Sequence, residues 1–168
     1  MSDPTTPTDP ATLREELPGS PAARALRTAY WQDVAALCGF DQDAGGLPPG
    51  DEETLVAPRG TFLVAAAGGR DVGCVGVRFL DGQAPAPRRA ELKRLYVAPA
   101  ARGLRLGRRL LDEAHAWARA RGAREVVLDT RSELTAALRL YAAAGYVEVE
   151  PYNDNPQAQV WLARRLGD

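Results

Sequence analysis

Leu95-Tyr96-Val97-Ala98-Pro99-Ala100-Ala101-Arg102-Gly103-Leu104-Arg105-Leu106-Gly107-Arg108-Arg109 is the run from which the rest of the 168-residue chain can be read. The apolar-x-apolar triplet Leu95-Tyr96-Val97 reads as the end of a strand, and Pro99 and Gly103 mark a loop. From there Leu106, Leu110, Leu111, Ala114, Trp117 and Ala118 recur at helical spacing to about Arg121, with Gly122 as the cap. The unit is strand, loop, helix. A helix N-terminus presents unpaired amides and a partial positive charge, so a glycine-bearing turn leading into it suits a diphosphate. Gly103 and Gly107 would let the backbone approach closely, and Arg102, Arg105, Arg108 and Arg109 would add charge-assisted contacts. The same arginines, taken alone, also fit a solvated helix start. A Walker loop would need Gly-Lys-Ser/Thr before the helix, and neither that nor a dinucleotide fingerprint is present.

Working back from the triplet, Ala90 and Leu92 are apolar at even positions whereas Leu95 and Val97 are apolar at odd ones. One face of a strand can be kept through that change only if an extra residue intervenes, which predicts a β-bulge near Lys93 or Arg94. Further back, Leu13 to Leu17 reads as a short strand, and Pro21 opens a helix that Gly39 ends. Asp41 to Gly60 is a loop and candidate lid holding a short helix around Glu52 to Val56, and Phe62 to Ala66 with Val72 to Leu80 form a hairpin. Gln83 to Arg89 connects to the bulged strand. Forward of the first helix lie a buried strand at Glu125 to Thr130, a helical stripe of Leu134, Leu138, Tyr141 and Ala142 closed by Gly145, and two strands at Tyr146 to Val149 and Gln159 to Ala163. This order predicts an α+β fold on a mixed sheet.

The length and a 45% hydrophobic share fit one domain over 11–168, preceded by a loose arm over 1–10 with neither a basic nor an apolar signal region. With 21 basic and 22 acidic residues the net charge is −1, so no bulk field draws nucleic acid or an anionic membrane. Cys38 and Cys74 read as reduced apolar fillers, and a single histidine leaves no ordinary zinc site, so no metal is expected. No run is long enough to span a bilayer, which makes the cytoplasm the expected location, and the Ala, Arg, Gly and Pro bias suggests a bacterial source. His115, Trp31, Trp117 and Trp161 read as packing or interface residues. Asp51, Glu52 and Glu53 could hold a cationic ligand but also fit a solvated face.

The loop Arg102 to Gly107 resembles the acyl-CoA loop of the GNAT acetyltransferases, Q/R-x-x-G-x-G/A. Arg102 and Gly107 match its first and last positions; Arg105 stands where glycine is usual. The likeness covers roughly 61–165 and implies the GNAT fold: a mixed, mostly antiparallel sheet of six to seven strands, splayed between strands 4 and 5 and flanked by helices. It implies acetyl-CoA as co-substrate, bound by Arg102, Gly103, Leu104, Arg105, Leu106, Gly107 and Arg108, with the pantetheine arm paired to Leu95, Tyr96 and Val97 and the oxyanion met by the Leu95 amide. Direct acyl transfer to a primary amine of a small molecule or peptide needs a base, because an alkyl ammonium has a pKa of about 10.4. Glu91 has the offset from the triplet of the glutamate base in histone-type members, and it equally fits an exposed strand residue paired with Lys93 or Arg88. Tyr141, in Leu140-Tyr141-Ala-Ala-Ala-Gly145-Tyr146, resembles the tyrosine that protonates the departing thiolate, although its spacing alone also makes it a core residue. Leu134 stands where many members carry a coenzyme-contacting asparagine, a contact that Thr130, Arg131 or Ser132 would have to replace. Glu91 to Val97 (E-L-K-R-x-Y-V) and Tyr152-Asn153-Asp154-Asn155-Pro156 resemble a bacterial subgroup, which would place Tyr152, Asn153 and Asn155 at the acceptor, whereas Asn and Asp before proline are also ordinary turn residues. The resemblance further implies that a homodimer is common, and it leaves open a binding module that has lost its chemistry.

Overall fold

A computed structural model describes residues 10–41, 49–80 and 88–167. The N-terminal arm, the middle of the candidate lid and most of the connection before Arg89 lie outside the described residues. The strands are β1 (Thr12–Glu15), β2 (Gly60–Ala67), β3 (Arg70–Phe79), β4 (Arg89–Val97), β5 (Glu125–Thr130), β6 (Val147–Glu148) and β7 (Val160–Arg165). The helices are α1 (Pro21–Cys38), α2 (Asp51–Thr54), α3 (Leu106–Ala120) and α4 (Thr135–Ala143). One seven-stranded sheet runs β1-β2-β3-β4-β5-β7-β6, antiparallel throughout except for the parallel pair β4·β5. This is the GNAT acyl-CoA N-acyltransferase fold.

Local signals account for the elements. Ser20 caps α1 by accepting the Ala23 amide at 3.2 Å, Pro21 follows at the first helical position, and Gly39 ends the helix with φ +72°. Gly68 and Gly69, both at positive φ, turn β2 into β3. Each sheet face is covered. On one, the apolar stripe of α3 (Leu110, Leu111, Ala114, Trp117, Ala118) packs with Tyr141 of α4 on Val75, Val77, Ala90, Leu92, Val126 and Leu128. On the other, Ala23 and Leu26 of α1 and Leu55 after α2 pack on Phe62, Val64 and Cys74. Gly76 makes the second contact possible, since a Cβ there would lie 2.7 Å from a Leu55 methyl. In β4, Glu91 and Lys93 consequently face the α1 and α2 side, and in β5 so do Val127 and Asp129.

Candidate active site

The parallel ladder of β4 with β5 has only three pairs, Arg89↔Glu125, Ala90↔Val126 and Glu91↔Val127. Beyond it β4 stays with β3 as far as Gly73↔Val97, and β5 stays with β7 as far as Thr130↔Val160. The two strands therefore part, and the edges Lys93–Val97 and Leu128–Thr130 stand across an opening. The cause is the bulge expected from apolar parity: between Gly76↔Lys93 and Cys74↔Tyr96, both Arg94 and Leu95 oppose Val75. Arg94 has φ +56°, a conformation L residues rarely take, and its side chain is held in place. Its Nε and Nη2 donate to the two Asp51 oxygens at 3.0 and 3.2 Å, and its carbonyl accepts the Cys74 thiol at 3.3 Å. Asp51 also accepts from Arg27 Nε at 3.0 Å, and both residues of that pair are buried. Asp51 thus ties α1 and α2 to the bulge, and, being buried, it does not belong to a solvated face. Glu52 is spent on Arg24 and Arg27.

At the other end of the bulged strand, a 3-10 turn at Pro99–Ala101 leads to Gly103 (φ +91°) and to Arg105 (φ +57°), the residue before α3. Among the described residues no side chain caps this helix, so its first amides meet no side-chain acceptor there. Arg105 adopts the left-handed geometry for which the family usually places glycine. Gly107 serves packing: a Cβ there would sit 2.9 Å from a Leu140 methyl, so its absence lets α4 lie close to α3. The arginines divide. Arg102 donates to the Val97 carbonyl at 3.2 Å and pairs with Asp33 at 2.8 Å, and Arg108 pairs with Asp112 at 3.0 Å, while Arg109 lines a groove formed with Leu13, Arg14 and Trp117. The exposed Leu104 lies in the loop itself and Leu106 is buried beneath it.

Glu91 is buried at 1% exposure. Arg78 donates to its Oε2 from Nε at 2.8 Å and lies 2.7 Å away through Nη2; the Tyr152 hydroxyl donates to Oε1 at 2.9 Å, and Lys93 Nζ stands 3.6 Å from that oxygen. It is neither exposed nor paired with Arg88. Across the opening, Asp129 Oδ2 accepts from the side-chain amides of Asn153 at 2.6 Å and Asn155 at 3.2 Å. Trp161 Nε1, a donor only, binds Asn153 Oδ1 at 2.8 Å and so fixes which end of that amide faces Asp129. The segment between β6 and β7 therefore bridges the mouth of the gap, holding β4 through Tyr152 and β5 through Asn153 and Asn155. Burial and the charges of Glu91 and Asp129 push the Tyr152 phenol far up, so it stays a neutral hydroxyl.

Tyr141 is buried on α4, edge-on to Tyr146 with ring centroids 5.5 Å apart. Burial first, then Tyr30, Tyr146 and Asp129, raise its pKa strongly, so it keeps its proton at neutral pH. Tyr146 is in turn held by His115 Nε2 at 2.7 Å, whose Nδ1 meets Arg164 at 2.8 Å; burial and then Arg164 lower the His115 pKa to about 4. Of the groups offered in place of the missing asparagine at Leu134, Arg131 donates to the Gln157 carbonyl and to Glu133, and Ser132 donates to Gln159. The sequence missed Tyr30, Arg78, Asp129 and Trp161. The parity that places Val126 and Leu128 in the core puts Asp129 on the opposite face, a signal that was there to use.

The sequence model of the Acetyltransferase (GNAT) family matches residues 22–146. The chain belongs to that family. Among relatives, an uncharacterized N-acetyltransferase of Schizosaccharomyces pombe is 42% identical over 108 residues, 64% of each chain, and the present chain accordingly spans less than two thirds of that protein. A type 1 aminoglycoside N(6')-acetyltransferase of Stenotrophomonas maltophilia is 33% identical over 83% of this chain and 88% of its own. In fold, this GNAT chain is similar to the crystal structure of a GNAT acetyltransferase from Staphylococcus aureus Mu50, with TM-score 0.73 at 17% identity over 94% and 99% of the two chains. Among the described residues no helix is long and apolar enough to cross a membrane, and no group of three or more His, Cys, Asp or Glu could hold a metal ion.

Proposed function

We propose that this GNAT protein transfers an acetyl group from acetyl-CoA to a primary amine by direct attack in a ternary complex. The observation that carries the reading is the pairing of two features on one strand: β4 leaves β5 after Glu91, and its far end feeds the uncapped N-terminus of α3. In this reading the α3 amides, with Arg102, Gly103, Leu104, Arg105, Leu106, Gly107 and Arg108, hold the diphosphate. The pantetheine arm lies along the free edge of Leu95, Tyr96 and Val97 as an added strand would. For Arg102 this means exchanging Asp33 for phosphate oxygens, which a long exposed guanidinium does at small cost.

The acceptor comes from the opposite face, where Glu91, Tyr152 and Asp129 converge. An ammonium proton passes to the Tyr152 hydroxyl as that hydroxyl gives its own to Glu91; the nitrogen lone pair then attacks the thioester carbonyl. The developing oxyanion is met by the Leu95 amide, the C–S bond breaks, and the departing thiolate takes the Tyr141 proton; the second proton of the attacking nitrogen, lost as the amide forms, passes through solvent to restore the Tyr141 hydroxyl. The same contact between Glu91 and Tyr152 joins the E-L-K-R-x-Y-V strand to the Y-N-D-N-P loop, which supports treating the two motifs as one subgroup signature. The test is to incubate purified protein and acetyl-CoA with amino acids, polyamines, aminoglycosides and peptide N-termini while following thiol release. Acetyl-CoA-dependent acylation of one class supports the reading. Acetyl-CoA binding without turnover on any amine leaves a binding module instead.

A further inference from the structure

In the register of the short parallel ladder, Glu91 lies opposite Val127, so the next positions on the same face are Lys93 and Asp129. They are the first positions of that face on the two banks beyond the end of the ladder. On the β4 side, Glu91 is already neutralised by Arg78, which approaches its Oε2 from both Nε and Nη2, and Lys93 stands 3.6 Å from the other oxygen. That leaves one more cation than anion there. On the β5 side, Asp129 has no ion-pair partner among the described residues; its only hydrogen bonds are from two neutral amides, both to Oδ2. The gap thus has a surplus cation on one bank and an unmatched carboxylate on the other, bridged by the loop whose Tyr152 binds Glu91 and whose Asn153 and Asn155 bind Asp129. Partly buried charges of this kind are costly unless a ligand completes them.

Resting on the acetyltransferase reading above, we infer that the acceptor is a small zwitterionic amino acid whose ammonium is held by Asp129 and whose carboxylate is held by Lys93. Asp129 Oδ2 is fixed by Asn153 and Asn155, which turns Oδ1 to the ammonium. Trp161 makes that fixing rigid by locking the Asn153 amide. The site thereby selects against polycations, whose further ammonium groups would meet Lys93 and Arg78, and against amines lacking an anion, which would leave Lys93 unmatched.

The experiment compares, with acetyl-CoA, the twenty L-amino acids, β-alanine and γ-aminobutyrate against their amides and against spermidine and kanamycin, reading thiol release. At least one free amino acid is acetylated, with kcat/KM at least tenfold above that of its own amide. Lys93→Ala raises KM for that acid at least tenfold with a smaller change in kcat and removes the preference over the amide, whereas Lys93→Arg retains most of it. Asp129→Asn raises KM for the acid and the amide alike. Thermal protection by acetyl-CoA, measured in every variant, checks the fold and the coenzyme site. Amides, spermidine or kanamycin used as well as the acids, or a preference that survives Lys93→Ala, overturns the inference. Protection by acetyl-CoA with no amino acid acetylated also overturns it and leaves the acetyltransferase reading standing; no protection at all removes that reading first.

Discussion

A left-handed Arg94 costs the backbone about 1–2 kcal/mol, and it persists because Asp51 takes its guanidinium in a two-point contact at the bulge of β4. Since Asp51 also pairs with the buried Arg27, removing its carboxylate leaves Arg94 without its two-point partner and Arg27 with only Glu52 at 3.5 Å and the Pro18 carbonyl. Asp51→Ala is therefore expected to lower unfolding free energy by about 3–5 kcal/mol in denaturant titrations, far more than a surface pair would. Tyr141→Phe keeps the ring packing on Tyr146 and deletes only the hydroxyl; kcat should fall about 100-fold or more with little change in acetyl-CoA affinity by calorimetry. His115 gives a pH prediction. The unfolded histidine takes a proton below about 6.5, while the folded one resists until about 4, so its contribution to stability is complete above pH 6.5 and is lost as pH falls through that window. Unfolding free energy from urea titrations should drop between pH 6.5 and 4 with a slope approaching about 1.4 kcal/mol per pH unit from this group, and His115→Gln should flatten that part of the curve. None of these pairings could be read in sequence. Arg27, Asp51 and Arg94 each look like solvated charges, and only the fold shows that they meet.

At the level of elements the sequence was far more informative, because each element announces itself through local rules. The switch in apolar parity between Leu92 and Leu95 located the bulge, and the glycines at 39, 122 and 145 marked the helix ends, each at positive φ. The entry to α3 was legible as a turn into a helix, but the separate duties of its residues were not: Gly107 makes room for Leu140, and Arg105 carries the left-handed φ. That division is testable. Arg105→Gly relieves backbone strain and should leave the protein as stable or up to about 1 kcal/mol more so, while acetyl-CoA binding weakens severalfold through the lost charge. A fall in stability instead would mean that the side chain, and not the turn, holds that corner. The loop between β6 and β7 read equally well as turn residues or as an acceptor wall, since Asn and Asp do both. Contacts to Glu91 and Asp129, far away in sequence, are what place it at the gap.

For the whole molecule, the proposed function makes coenzyme binding and fold stability one equilibrium, because the gap between the parted strands exists only in the folded chain. Acetyl-CoA at 100 times its Kd should add about 2.7 kcal/mol, which for a chain of this size raises Tm by about 5–10 °C in a thermal shift experiment. A shift that Tyr152→Phe leaves in place, while KM for the amine rises, would assign the loop to the acceptor and not to the coenzyme.

The position of β7 has a consequence for biogenesis. Of the seven strands described it is the last to be synthesised, yet it lies inside the sheet, between β5 and β6. Until residues 160–165 leave the ribosome, the nascent chain exposes Val126, Val127 and Leu128 on an unpaired edge. Chaperone demand during translation should therefore peak late, and a stalled or prematurely terminated chain should be an aggregation hazard even with every motif residue from Glu91 to Tyr146 already made.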